Sequence, residues 1–249
     1  MSSKKRELNR NEKIVIRIMA ATAIVAAIIF AVILYVNDYY KPTEKAQKAM
    51  LGNDNVSVTE TEEYYLFDIK EEATKGIVFY PGGKVDEKAY APMLLELAEN
   101  GYEVYLVKMP AKLAIFGMNA AEDIITAAPH IEDWTMMGHS LGGAMAASFC
   151  AEYDEEIDEL VLLAAYSMED LSDKDIKVYS FYGSEDKVLN MENYDKYYEN
   201  LPDDMIEEVI EGGNHAGYAH YGEQEGDGKA AISREEQQES VLDILLSTQ

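Results

Sequence analysis

Trp134-Thr135-Met136-Met137-Gly138-His139-Ser140-Leu141-Gly142-Gly143-Ala144 joins a short apolar run to a segment of small residues that continues to Tyr153. The run Trp134 to Met137 has the length and composition of a buried strand, and Ala144 to Tyr153 reads as a helix, so the chain turns sharply between them. Glycines at 138 and 142 suit such a turn, because neighbouring backbone comes too close there for side chains. The turn lifts Ser140 above the sheet edge. It also aims the Leu141 N–H, at the start of the helix, toward a point beside the serine hydroxyl.

Outward from this stretch the pattern alternates. Tyr64 to Ile69 and Gly76 to Tyr80 are predicted strands, the second ending at Pro81-Gly82-Gly83. An amphipathic helix, Tyr90 to Glu99, closes at Asn100-Gly101, and a strand from Tyr102 to Lys108 stops before Pro110. Ala120 to Ala128 is helical, Leu160 to Ala164, Val178 to Tyr182 and Ile206 to Ile210 are strands, and Arg234 to Leu246 is a C-terminal helix. Strands alternating with helices predict an α/β fold, a mostly parallel twisted sheet covered on both faces. Ligands on such sheets bind at the carboxyl ends of the strands. Gly82, Ser140, Asp186 and His215 each follow a predicted strand.

A serine hydroxyl needs a base to become a nucleophile. Of the four histidines, His215 in Gly212-Gly213-Asn214-His215 follows the last strand and is the first candidate; His220 competes with it. His139 is expected on the opposite side of the backbone from Ser140, and His130 precedes its strand. The imidazole in turn needs an acid to fix its tautomer. Gly183-Ser184-Glu185-Asp186 ends the turn after the Val178 strand and offers Asp186, with Glu185 as the alternative. The order serine, acid, histidine is the order this kind of sheet uses. A second backbone donor for an oxyanion is expected from Pro81-Gly82-Gly83-Lys84, at Gly83.

The order of these motifs resembles the α/β-hydrolase superfamily, and within it the small exported or membrane-anchored bacterial hydrolases of the dienelactone-hydrolase-like group. The resembling blocks are Tyr80-Pro81-Gly82-Gly83, Lys108-Met109-Pro110, Gly138 to Ala144, Gly212-Gly213-Asn214-His215-Ala216 and Tyr221 to Gly228, over about residues 57 to 249. The resemblance implies Ser140 as nucleophile, Asp186 as acid and His215 as base. Dienelactone hydrolases proper use a cysteine where Ser140 stands, so their substrate does not carry over. Tyr218-Ala219 also replaces the Phe-Gly pair usual after the histidine in such relatives.

The chain has 249 residues, of which 48% are hydrophobic, and its first forty stand apart. Lys4, Lys5, Arg6, Arg10, Lys13 and Arg17 precede an almost unbroken apolar stretch from Ile18 to Val36. As a helix it would be about 28 Å long, or ~34 Å from Ile14, which matches the ~30 Å hydrocarbon core. The basic flank predicts a cytoplasmic N-terminus and an extracytoplasmic remainder. A cleavable signal peptide, the rival reading, has a shorter apolar region and a small-residue cleavage site. Here Tyr35-Val36-Asn37-Asp38-Tyr39-Tyr40 follows, tyrosines suited to the outer interface. The expected organisation is therefore a basic tail at 1–13, an anchor at 14–36, a stalk at 37–56 and a catalytic domain at 57–249. After residue 40, fifteen Lys and Arg face forty-four Asp and Glu, a net −29. Such a surface repels nucleic acid and anionic headgroups and confers solubility. The single Cys150 excludes an intrachain disulfide and reads as a packing residue.

Between Ala164 and Val178 the chain is too short for a helical lid, so an open site is expected. Phe116 and Met118, in an apolar loop after a strand, and Tyr218 and Tyr221, beside the base, are the candidate substrate-binding residues; the loop is equally readable as a short core helix. Asp227 stands in an acidic, glycine-rich segment where a cation is conceivable, but no spaced acidic set forms a calcium loop. The sequence thus predicts a membrane-anchored serine hydrolase of small carboxylic esters or other acyl substrates, with no cofactor and no metal. A lactonase or acyltransferase would use the same residues, and a degenerate binding module of the cell envelope is the alternative from another class.

Overall fold

The computed structural model describes residues 9–70 and 72–247, which fall into two compact units divided between Asp38 and Tyr39. Within the first unit, α1 (Arg10–Asn37) is one continuous helix. Its N-terminus is closed by a capping box, with the Asn9 side chain accepting from Glu12 N–H and the Glu12 carboxylate accepting from Asn9 N–H. It is long and apolar enough to cross a membrane, its most apolar eighteen residues having a mean hydropathy of 2.7, and none of its residues is buried. Its length and composition fit a membrane anchor or a signal sequence equally. Most of the basic tail expected at 1–13 lies outside the described residues.

The second unit holds α2 (Glu44–Ala49), β1 (Val56–Glu60), β2 (Tyr64–Ile69), β3 (Lys75–Tyr80), α3 (Ala91–Glu99), β4 (Tyr102–Val107) and α4 (Ala120–Ala127). Then come β5 (Asp133–His139), α5 (Leu141–Glu152), β6 (Glu159–Leu163), β7 (Lys177–Gly183), α6 (Met191–Lys196), β8 (Ile206–Ile210) and α7 (Arg234–Ser247). They form one eight-stranded sheet in the order β1-β2-β4-β3-β5-β6-β7-β8. The pairs β1–β2 and β2–β4 are antiparallel and the rest are parallel. This is the α/β-hydrolase fold.

Both faces of the sheet are covered, and period-two alternation along β3 divides the core. Ile77 and Phe79 pack with Met93, Leu94 and Leu97 of α3 and Val241, Leu242 and Leu245 of α7. Val78 and Tyr80 face the other way, onto Met145, Phe149 and Cys150 of α5. Cys150 is fully buried there, and burial pushes its thiol pKa up, which keeps it unreactive.

Residues 39–56, expected as part of a stalk, pack onto this unit. Ala46 of α2 is fully buried, the Tyr40 ring lies 5.2 Å from that of Tyr221, and Thr43 N–H donates to the His220 carbonyl at 2.8 Å. Strand β1, with no expectation from the sequence, pairs with β2 from Val56 to Glu60. The connection from β6 to β7 contains no helix, and Ser167 and Leu171 within it are buried.

Candidate active site

Strands β3 and β5 are parallel neighbours with Tyr80 opposite Gly138, so the loop after β3 and the turn after β5 leave the sheet side by side. The turn is as tight as its glycines suggest. A Cβ at Gly142 would sit 2.1 Å from the Tyr80 carbonyl oxygen, and one at Gly138 2.6 Å from the Gly142 backbone. Ser140, at the apex, has φ 54° and ψ −122°, a left-handed conformation that costs a non-glycine residue about 1–3 kcal/mol. Its N–H is fixed by the Leu163 carbonyl of β6 at 2.9 Å. Leu141 opens α5, where the first N–H groups have no intrahelical acceptor. Among the described residues neither the Leu141 nor the Gly83 N–H donates to another group, and the two residues are adjacent, a Gly83 Cβ position lying 3.2 Å from Leu141 Cδ2.

The last two parallel strands supply the second half of the site. Asp186 follows β7 and His215 follows β8, and the loops are packed so closely that a Cβ at Gly183 would meet the Gly213 carbonyl carbon at 2.2 Å. Asp186 Oδ2 lies 2.8 Å from His215 Nδ1, both side chains being 2% exposed. Asp186 Oδ1 accepts from Val188 and Leu189 N–H, each at 2.8 Å, which fixes the rotation of the carboxylate. His215, not His220, is the histidine paired to this acid, and Glu185 engages through its N–H to the Gly213 carbonyl. His220 is instead buried elsewhere, its main-chain N–H donating to the Ala89 carbonyl and its carbonyl accepting from Thr43 N–H, each at 2.8 Å, and burial lowers its pKa.

Ser140 and His215 line one pocket of about 280 Å³ with Leu141, Ala144, Met145, Ala165, Met168 and Leu189 on its apolar walls and Tyr166 and Asn190 among its polar groups. The four expected substrate-binding residues are not among its lining. Phe116 is 64% exposed on a short turn, and Met118 packs against the core while its carbonyl accepts from Tyr80 Oη at 2.6 Å. Tyr218 is fully buried with its ring 5.5 Å from that of His139, and Tyr221 is buried against Tyr40. Both tyrosines are thus buried in the packing around the histidine loop.

The places of three further residues around the site were not legible in the sequence. Asp227 is engaged by main-chain donors and leaves no ligand set for a cation: Oδ2 accepts from Ala216 N–H at 2.9 Å, and Oδ1 from Gly228 at 2.7 Å and His215 at 3.3 Å. Gln237 of α7 brackets the same loop, accepting from Asn214 N–H at 3.0 Å and donating to its carbonyl at 2.8 Å. His139, expected away from the site, lies with its ring 4.6 Å from that of His215. Parity along β5 explains it: His139 shares its face with Met137, and the histidine loop packs on that face through Ala216 and Tyr218. Among the described residues no cluster of three or more His, Cys, Asp or Glu side chains is placed to hold a metal ion.

Sheet order, the strained serine turn and the acid and histidine on successive strand ends define a hydrolase. Residues 76–239 match the alpha/beta hydrolase family, to which the chain belongs. No curated protein matches it. Among solved structures it is similar to a predicted CIB-like hydrolase from Thermoplasma acidophilum, at 16% identity over 77% of this chain and 99% of that one, with TM-score 0.60. It is also similar to Est1E from Butyrivibrio proteoclasticus, at 14% identity over 78% and 98% with TM-score 0.58. Esterase 2 of Thermogutta terrifontis, in a form phosphorylated by paraoxon, aligns at 13% identity over 78% and 95% with TM-score 0.54. At these identities the likeness is one of fold.

Proposed function

We propose that this hydrolase cleaves carboxylic esters through Ser140, His215 and Asp186. His215, its Nδ1–H held by Asp186, takes the serine proton through Nε2 as Ser140 Oγ attacks the carbonyl carbon. The negative charge that develops on the carbonyl oxygen is met by the N–H groups of Leu141 and Gly83, which have no partner among the described residues to leave. His215 then passes the proton to the leaving alcohol, which departs as the acyl-serine forms. A water, deprotonated by the same imidazole, attacks the acyl-serine, and the imidazolium returns the proton to Ser140 Oγ as the acid leaves. The observation that carries the proposal is the buried 2.8 Å contact between Asp186 Oδ2 and Nδ1 of His215, the histidine that lines one pocket with Ser140.

The apolar walls of that pocket suit an acyl group, and its 280 Å³ and the absence of a helix between β6 and β7 favour short ones. We further propose that α1 is an uncleaved anchor spanning residues 14–36, with its basic end cytoplasmic and residues 39–249 outside. The charge asymmetry around the span supports that orientation. Hydrolysis of p-nitrophenyl acetate by the full-length protein tests the catalytic assignment. Ser140→Ala and His215→Ala should each lower turnover by several orders of magnitude while His220→Ala stays within about tenfold; the reverse ranking of the histidines would move the base to His220.

A further inference from the structure

Tyr90 and His139 carry polar groups buried deeply beside the site, and the reaction above uses neither. Tyr90 ends the turn that precedes α3 and is fully buried; His139 ends β5 and is 1% exposed. The Tyr90 hydroxyl accepts from Gly82 N–H at 2.9 Å and lies 2.8 Å from His139 Nδ1. A Cβ at Gly82 would be 2.8 Å from both of those atoms, so the loop approaches the pair as closely as glycine allows. The rings against His139 are Tyr90 at 5.8 Å, His215 at 4.6 Å and Tyr218 at 5.5 Å. Its Nε2 faces the His215 main chain without a hydrogen bond of regular geometry.

Counting protons fixes the state of this pair. Gly82 N–H can only donate, so the Tyr90 oxygen accepts there. The hydroxyl proton then has His139 Nδ1 as its acceptor, and left without one in this interior it would cost about 1–3 kcal/mol. With Nδ1 as acceptor only the Nε2–H lacks a regular partner, whereas with Nδ1 as donor both the hydroxyl proton and the Nε2 lone pair would, so the proton sits on Nε2 and the ring is neutral. Burial, with the His215 imidazole next to it, holds the His139 pKa well below 6.5. A neutral ring is the favourable neighbour for a base that becomes an imidazolium during the reaction.

We propose that Tyr90 and His139 are positioning residues that tie the Gly82–Gly83 oxyanion loop to the loop carrying the base and keep an uncharged ring against His215. The inference rests on Ser140 and His215 acting as nucleophile and base. In the full-length protein in detergent, Tyr90→Phe removes only the hydroxyl. Its kcat for p-nitrophenyl acetate should fall about 100-fold, as expected for a misplaced donor, with KM within ~3-fold. His139→Asn, whose amide oxygen can replace Nδ1 as acceptor, should recover most of the kcat that His139→Leu loses. In wild-type protein labelled with 15N-histidine, the His139 ring should hold the Nε2–H tautomer from about pH 5 to 8, where free histidine titrates.

An unchanged kcat in folded Tyr90→Phe, a change confined to KM, or titration of His139 in that range would each overturn the proposal. If Tyr90→Phe fails to fold, the wild-type 15N tautomer and the His139 pair of variants decide it. Turnover surviving Ser140→Ala would strike the catalytic assignment itself; turnover that needs Ser140 but ignores Tyr90 strikes only this one.

Discussion

Asp186→Asn tests how the acid works, because the surrounding backbone dictates which way the amide must turn. Asp186 Oδ1 accepts from Val188 and Leu189 N–H at 2.8 Å each, while Oδ2 faces His215 Nδ1 at 2.8 Å. An asparagine that keeps its carbonyl oxygen on the two N–H groups must present its NH₂ to His215. Flipping it would set donors against donors and leave two N–H groups unpaired, at about 1–3 kcal/mol each. The amide therefore donates to Nδ1, the imidazole carries its proton on Nε2, and the base faces the serine in the wrong tautomer. The same trap in a serine-protease triad lowers kcat about 10⁴-fold, and a loss of that order is expected here. The side chain is nearly isosteric and 2% exposed, so the fold should survive. Steady-state hydrolysis of p-nitrophenyl acetate, with near-ultraviolet circular dichroism to confirm folding, makes the measurement. A folded Asp186→Asn within tenfold of wild type would refute the reasoning.

Asp227→Ala removes an acceptor from the N–H groups of Ala216 at 2.9 Å and Gly228 at 2.7 Å. With charged hydrogen bonds worth about 1.5–3 kcal/mol and incomplete additivity, a loss of ~3 kcal/mol is expected, lowering Tm by roughly 6–12 °C; a calcium-dependent Tm in wild type would instead restore a cation to Asp227. Gly142→Ala places a methyl 2.1 Å from the Tyr80 carbonyl oxygen, and the turn must open, so activity should be lost together with about 1–3 kcal/mol or more of stability. The lowered pKa of His139 means that the unfolded chain binds more protons below the ordinary value of 6.5, so this residue's contribution is complete above that pH and is lost as pH falls. The limiting slope is about 1.4 kcal/mol per pH unit, read as the difference in Tm between wild type and His139→Gln from pH 7 to 5; parallel curves would show that the ring is not buried neutral. Among p-nitrophenyl esters kcat/KM should peak at roughly two to six acyl carbons, and a rate that climbs into long chains would require a groove beyond the 280 Å³ pocket.

The sheet was legible because its strands are bounded by Gly and Pro and alternate with helices that close on Asn-Gly or open after a turn. The serine turn was legible because Gly138 and Gly142 are sterically required, not merely tolerated. Asp186 and His215 could be named from chain order, since each follows a strand. Asp227 could not, as one carboxylate among forty-seven acidic residues, whose role depends on N–H groups eleven and twelve residues earlier. The pocket walls also stayed hidden: Ala144, Ala165 and Leu189 are ordinary residues brought together by three different strand ends. Conversely, Tyr218 and Tyr221 drew notice as tyrosines beside the base, yet they are buried and serve packing. The packing of residues 39–56 rests on small contacts such as Ala46, which carry no periodic signal in a polar stretch.

The most direct test of the central claim is to react the full-length protein with a fluorophosphonate probe and map the modified peptide by mass spectrometry. The account predicts one label, on Ser140, absent from folded Ser140→Ala and strongly slowed in His215→Ala. A label on another residue, or one that persists undiminished in Ser140→Ala, would contradict it.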